Sequence, residues 1–324
     1  MNPPTVDVHL DADYFAEALR ADVREGLAAS AKFLPPKWFY DAAGSELFEA
    51  ITGLPEYYPT RAEREILAAH ADDVARTTGA HTLVELGSGS SEKTRLLLDA
   101  LTAYGTLRQF VPLDVSESAL REATRRIAGD YRNLMVHGVV GDFTEHLDLL
   151  PGGTPRLIAF LGGTVGNFMP PERAKLLAMI RDACGSDGWL LLGTDLIKDP
   201  ATLLAAYDDA AGVTARFNRN LLQVLNRELG ADFDVDAFEH VAAWDEDNAW
   251  IEMRLRAMRR MTVRIPLVDM DVHLADGEQI RTEISAKFRP EQIMTELTDS
   301  GFDTRHSWTD DLGRYVVTLA RACD

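Results

Sequence analysis

An apolar run, Thr82–Leu86, carries a carboxylate at Glu85, passes straight into Gly87 and Gly89, and gives way to a helical pattern from Glu92 to Ala103. Strand, glycine loop and helix in that order form the opening unit of a doubly wound parallel sheet. Glycine supplies the backbone freedom for the tight turn, and a helix N-terminus leaves N–H groups without intrahelical partners. Such a loop suits a nucleoside-like ligand. A second apolar run, Phe110–Leu113, stops at Asp114. That carboxylate falls at the carboxyl end of the neighbouring strand, where it can accept hydrogen bonds from both hydroxyls of a ribose.

This pairing fits a nicotinamide-dependent dehydrogenase or a methyltransferase using S-adenosylmethionine (SAM), and three details favour the second. The loop Glu-Leu-Gly-Ser-Gly-Ser-Ser lacks the third glycine of the dinucleotide fingerprint. Glu85 puts negative charge near the loop, which suits a cation better than a diphosphate. A third apolar run, Leu134–Val140, leads into Gly141-Asp142-Phe143, an acid for an adenine amine and a ring for its face. A cofactor-sensing module without turnover remains open on these residues alone.

The rhythm continues through a helix at 117–127, a strand at 156–161, a helix at 171–183 and a strand at 189–193. These strands read as continuous apolar runs, as expected when both faces are buried. After Asp195 the pattern changes. Helices are expected at 201–211 and 214–229, then antiparallel strands from 248 to 288 with a turn at Asp276-Gly277. A helix from Pro290 to Ser300 and a closing hairpin, 302–308 and 314–320, complete the chain. That hairpin resembles the end of a class I methyltransferase sheet, whereas a dehydrogenase closes its nucleotide half with a parallel strand. Upstream, only Leu10–Ser30 has a helical pattern. The expected architecture is a class I SAM-dependent methyltransferase (Rossmann-like) α/β core, residues 61–196 and 287–324. An α+β accessory domain for substrate, residues 1–60 and 197–286, is expected beside it.

Composition narrows the partners. With 33 Lys and Arg against 52 Asp and Glu, the 324-residue chain carries a formal charge of −19. Such a field repels nucleic acid and anionic membrane surfaces, so a small-molecule substrate is expected. The two cysteines, Cys184 and Cys323, and the eight histidines show no ligand spacing, so no metal is expected. No apolar segment reaches membrane-spanning length and Asn2-Pro3-Pro4 opens no secretory pattern, so a cytoplasmic monomer is the expectation.

Residues 36–65 crowd aromatics, a Tyr40-Asp41 pair and the turn Leu54-Pro55-Glu56-Tyr57-Tyr58 ahead of the core. Loop tyrosines bring hydroxyls as well as apolar bulk, which suits a small polar ligand. This segment, the glycine loop and Leu161-Gly-Gly-Thr-Val-Gly-Asn-Phe168 together resemble the histidine Nα-methyltransferases of ergothioneine biosynthesis, from about Lys37 to the C-terminus. The resemblance implies SAM-dependent trimethylation of the α-amino group of L-histidine to hercynine, releasing S-adenosylhomocysteine. It also implies cofactor contacts at Gly87, Lys93, Asp114, Asp142 and Phe143, and substrate contacts at Tyr57, Asn167, Tyr207 and Glu283-Ile284-Ser285. These positions fall in the first segment, the core and the insert, so a pocket shared by the two domains is expected.

The residue types suit those roles. A cationic Lys93 near the helix start can meet the methionine carboxylate. Glu283 and Ser285, two apart on an extended run, share one face, with Ile284 on the other. Together they can accept from and donate to a neutral imidazole. Asn167 can orient an amine without strongly favouring its ammonium form, and Tyr40 can face the growing methylammonium through cation–π attraction. Asn167 and Tyr40 are therefore the catalytic candidates, and no side chain reads as a general base. Another amino acid or small amine as methyl acceptor is the alternative.

Overall fold

A computed structural model of the chain describes residues 4–10, 12–89 and 91–323. Ser90 of the glycine loop, and Asn2 and Pro3, lie outside the described residues. The chain divides into two compact units, which share it unevenly: Pro59–Ile197 with Lys287–Asp324 and the N-terminal strand make one, Asp11–Tyr58 with Lys198–Ala286 the other.

In the first unit the parallel strands are β2 (Thr82–Leu86), β3 (Gln109–Asp114), β4 (Met135–Val140), β5 (Arg156–Phe160) and β6 (Trp189–Asp195). They alternate with helices α3 (Pro59–Thr78), α4 (Arg95–Tyr104), α5 (Glu117–Asp130) and α6 (Pro170–Cys184). Helix α9 (Pro290–Asp299) precedes the hairpin β12 (Phe302–Thr309) and β13 (Tyr315–Ala322), and β13 pairs antiparallel with β6. With β1 (Thr5–Val8), the sheet order is β1-β4-β3-β2-β5-β6-β13-β12. Order reverses at β2, so the crevice outside the carboxyl ends of β2 and β5 is the switch point where such sheets take ligands. This strand order with its antiparallel β13 is the class I methyltransferase arrangement. Strands such as β2, buried at every residue, explain the unbroken apolar runs.

Strand β1 corrects the assignment of all residues 1–60 to the accessory segment. It pairs in parallel with β4, Thr5 opposite His137 and Val8 opposite Val140, and Asp7 Oδ2 meets His137 Nε2 at 2.8 Å. Its side chains are mostly exposed at the sheet edge, so no apolar periodicity marks it. Helix α4 also begins three residues later than expected, because Ser91 is left-handed (φ 54°) and residues 92–94 turn before the helix starts.

The second unit has its own core. Leu19, Val23, Phe39, Tyr58, Phe217, Leu221, Leu255 and Ile280 pack together there. It comprises α1 (Ala12–Ala28), α2 (Ala42–Thr52), α7 (Pro200–Tyr207), α8 (Val213–Leu229) and two small sheets. One sheet is β11-β8-β7, from Gln279–Ala286, Trp250–Ala257 and Phe238–Asp245; the other pairs β9 (Met261–Ile265) with β10 (Met270–Leu274). Strand β7 lies ahead of the region where antiparallel strands were expected.

The main sheet is closed where the insert leaves and returns. Phe288 N–H donates to Asp195 O at 2.9 Å and Ile197 N–H to Phe288 O at 3.0 Å, a parallel bridge between the two chain passages. Beside it, Lys287 Nζ lies 3.0 Å from Asp195 Oδ2, both side chains buried. Removing one member of a buried ion pair leaves an uncompensated charge, at a cost of about 3–5 kcal/mol. Asp195→Ala is expected to lower the melting temperature more than the double change Asp195→Leu with Lys287→Met, as thermal unfolding of the variants would reveal.

Candidate functional site

The glycine loop is built by hydrogen bonds rather than by glycine freedom alone. Gly87 N–H and Ser88 N–H both donate to Leu113 O, at 2.9 and 3.1 Å, which anchors the loop to the end of β3. Gly87 (φ 66°) and Gly89 (φ 49°) occupy the left-handed region that makes glycine the favoured residue there. Asp114 completes the anchor, accepting Gly89 N–H on Oδ2 at 2.8 Å and Ser116 N–H on Oδ1 at 2.9 Å. Burial raises the Asp114 carboxyl above its ordinary range, while the backbone donors of Ser116, Gly89 and Val115 pull it back. Each oxygen already holds a backbone N–H, so Asp114 positions the loop as well as offering its remaining lone pairs to a ligand.

Glu85 departs from the simple picture of a charge facing a cation. It is buried, and accepts from Ser91 Oγ at 2.7 Å and from Thr94 Oγ1. Burial pushes its carboxyl up to about 7, against the pull of those two hydroxyls. Its work is to hold residues 91–94 in their turn, which is also why α4 starts late.

Lys93 is paired with Glu63 of α3. Glu63 is wholly buried; its Oε1 also accepts Gly162 N–H at 2.8 Å and Tyr315 O–H at 2.9 Å. Glu63 is not among the residues expected from the sequence, although the sequence carries a signal for it. On α3 the buried positions 59, 62, 63, 66 and 67 form one helical stripe, and Glu63 is the acid on it. Beyond β4, Asp142 is buried and its Oδ1 accepts Thr144 N–H at 2.8 Å and Thr144 O–H at 2.6 Å. Phe143 stands edge-on to Phe160 and Phe168, with centroids 5.3 and 6.1 Å away. Asn167 ends the short 3-10 turn Thr164–Asn167 after β5, half-buried, and its side-chain amide makes no hydrogen bond among the described residues. The expected cofactor positions and Asn167 thus gather at the carboxyl ends of β2, β3, β4 and β5. The residues fit a nucleoside cofactor on an observation of their own. Ser88 Oγ, inside the glycine loop, is buried without a hydrogen-bond partner among the described residues, and such a group calls for one.

In the second unit, Tyr207 ends α7 and its hydroxyl lies 2.7 Å from Ser285 Oγ on β11. Tyr57 is buried with its ring 6.5 Å from Tyr207, and Tyr40 packs edge-on to Phe48 and Phe217. Glu283 lies two residues before Ser285, after a bulge between Arg281 and Glu283, and Ile284 is buried on the other face.

A buried polar chain runs from β11 to the end of α7. Thr282 Oγ1 donates to Asn218 Oδ1 at 2.7 Å; Asn218 Nδ2 meets His240 Nδ1 at 2.8 Å and donates to Arg254 O at 3.1 Å. His240 Nε2 then reaches Tyr207 O at 2.8 Å. The donors fix the tautomer: His240 is neutral, accepting on Nδ1 and donating from Nε2 to the terminal carbonyl of α7. Burial lowers its pKa, with the Tyr207 carbonyl acting against that. A depressed histidine adds stability above the ordinary value of 6.5 that is lost as pH falls below it. In His240→Gln, the drop in melting temperature between pH 7.5 and pH 5.5 is expected to be smaller than in the parent; an equal drop would exclude this assignment.

A family model described as histidine-specific methyltransferase, SAM-dependent, matches residues 19–322. The histidine N-alpha-methyltransferase of Mycolicibacterium smegmatis is 53% identical over 312 residues, covering 96% of this chain and 97% of that protein. That of Mycobacterium tuberculosis has the same identity and coverage. Ergothioneine biosynthesis protein 1 of Neurospora crassa is 29% identical over 299 residues, 89% of this chain and 33% of that protein. With a loop shaped for a nucleoside, the strand order of a methyltransferase and a family match over nearly its whole length, the chain belongs to the SAM-dependent, histidine-specific methyltransferases.

Proposed function

We propose that this chain transfers methyl groups from SAM to the α-amino nitrogen of L-histidine until the trimethylated betaine, hercynine, is formed, the first step of ergothioneine biosynthesis. The observation that carries the reading is the reach of the 53% identity. It spans 96% of the chain and so takes in both the sheet with its glycine loop and the second unit with its tyrosines. The net charge of −19 agrees with a small substrate and with a cytoplasmic enzyme, which we take to be a monomer.

SAM, when bound, supplies an electrophilic methyl on a sulfonium, and the residues that would hold it are Gly87, Lys93, Asp114, Asp142 and Phe143. The chain's own task is alignment. Asn167 offers a neutral amide that can orient the amine while leaving its lone pair available. Tyr57 and Tyr207 donate to the substrate carboxylate, and Tyr40 turns an aromatic face to the methylated nitrogen. The Glu283-Ile284-Ser285 segment takes the imidazole, Glu283 accepting and Ser285 donating. Alignment of reacting atoms contributes about 7–11 kcal/mol in favourable cases.

Purified protein with SAM and L-histidine is expected to give a product heavier by three methyl groups, read by mass spectrometry. No gain on histidine, with methylation of another amine in a competition panel, would move the reading to a different acceptor. Glu283→Ala is expected to raise the KM for histidine by about tenfold or more, the scale of a lost hydrogen bond to a charged group. The Kd for S-adenosylhomocysteine should stay within about twofold. Equal losses on both ligands would remove the imidazole from this position.

A further inference from the structure

We infer that Glu63 is the positioning residue for the amino-acid tail of the cofactor, acting through Lys93 and the Gly162 turn; this rests on the SAM-dependent reading above. Glu63 makes no demand on solvent, since it is wholly buried. One of its oxygens takes the Lys93 ammonium; the other takes Gly162 N–H at 2.8 Å and Tyr315 O–H at 2.9 Å. Three separate pieces of chain are therefore tied to a single carboxylate: the turn before α4, the turn after β5, and strand β13. The first two are the loops that follow β2 and β5, on either side of the switch point.

The surrounding backbone is shaped to keep this carboxylate in place. A Cβ at Gly193 would lie 2.1 Å from Glu63 Oε1 and 2.7 Å from the Tyr315 hydroxyl, so β6 gives up a side chain where the carboxylate lies against it. Gly162 is left-handed (φ 80°), and a Cβ there would lie 3.9 Å from Lys93 Nζ. The Lys93 side chain itself is about a quarter exposed, against a wholly buried partner. The side chain therefore binds inward to Glu63 while keeping surface that a ligand can reach.

Charge explains why an acid should sit under this lysine. The tail of SAM is a zwitterion, with a carboxylate and an ammonium on the same carbon. A lone buried-edge cation would favour the carboxylate but oppose the ammonium beside it. A Lys93–Glu63 pair is neutral as a whole. It still presents an N–H donor outward to the carboxylate, and the ammonium meets no net positive charge. Glu63 also narrows the rotamers open to Lys93, so less side-chain entropy is lost when the tail binds.

The test separates the tail from the nucleoside by comparing S-adenosylhomocysteine with 5′-methylthioadenosine, which keeps the adenosine and thioether but has no amino-acid tail. In Glu63→Gln the amide oxygen can still accept from Gly162 and Tyr315, while the amide NH2 faces the Lys93 ammonium donor to donor. Calorimetry is expected to show Kd for S-adenosylhomocysteine raised roughly ten- to hundredfold, the range of a hydrogen bond to a charged group. Kd for 5′-methylthioadenosine should change by less than about twofold. Lys93→Met should give the same selective loss, and the double variant little more than either single one, as for residues acting as a unit. Equal losses on the two ligands, or no loss on either, would overturn the inference and leave Glu63 a merely structural acid. If Glu63→Gln does not fold, an unchanged ratio of the two affinities in Lys93→Met overturns it equally. A parent protein that binds neither ligand would instead bring down the SAM-dependent reading itself.

Discussion

The loops at the carboxyl edge of the main sheet are held by carboxylates, Glu63 and Glu85 buried and Asp114 half-buried. Asp114 holds the glycine loop through Gly89 N–H, Glu85 holds the turn after it through Ser91 and Thr94, and Glu63 holds Lys93 with the Gly162 turn. A parallel sheet sends its strand ends to one edge but leaves the loops there without ladder partners, so something else must satisfy their N–H groups. Here the solution is acidic side chains placed on strands and on α3, whose positions the sheet and its helical layer already fix. The loops are thereby tied to the scaffold beneath them, and a site built on loops so tied suits the alignment that group transfer requires.

The second unit solves a similar problem without charge. Its chain from Thr282 through Asn218 to His240 ends on the Tyr207 carbonyl, and every member is a neutral donor or acceptor. Buried neutral groups cost less to desolvate than buried ions, and each member here has its partners, so the chain can rigidify the end of α7 without an ion pair. A protonated His240 would place a donor on Nδ1 against the Asn218 amide, whose other end is already fixed by Thr282. The network therefore demands a neutral ring.

The regular part of the fold was legible from one residue to the next. β2, β3 and α9 fall within a residue or so of the expected bounds, because buried parallel strands and a proline-started helix each leave a local pattern. Strand β1 was not legible, since an edge strand of four mostly exposed residues buries too little to leave a period. The start of α4 was misplaced because left-handed Ser91 and the Glu85 hydrogen bonds override a helical pattern. Among the candidate site residues, those at strand ends could be named because the position of a loop after a strand is a local fact. Glu63 is marked in the sequence only as an acid on a helical stripe; its partners Lys93, Gly162 and Tyr315 are 30, 99 and 252 residues away.

By itself the sequence determined the family, the alternation that makes a parallel sheet, and the residue types offered to a nucleoside and an amino acid. Each of these is written in spacing and in short runs, which a linear chain records directly. Only the tertiary structure decided which acids are used up against side-chain hydroxyls and which keep acceptor capacity beyond their loop contacts. Asp114 and Glu85 read alike as strand-end carboxylates, yet one keeps lone pairs beyond its loop contacts while the other is buried against two hydroxyls. That difference lies in desolvation and in donors from distant segments, quantities that exist only once the chain is folded.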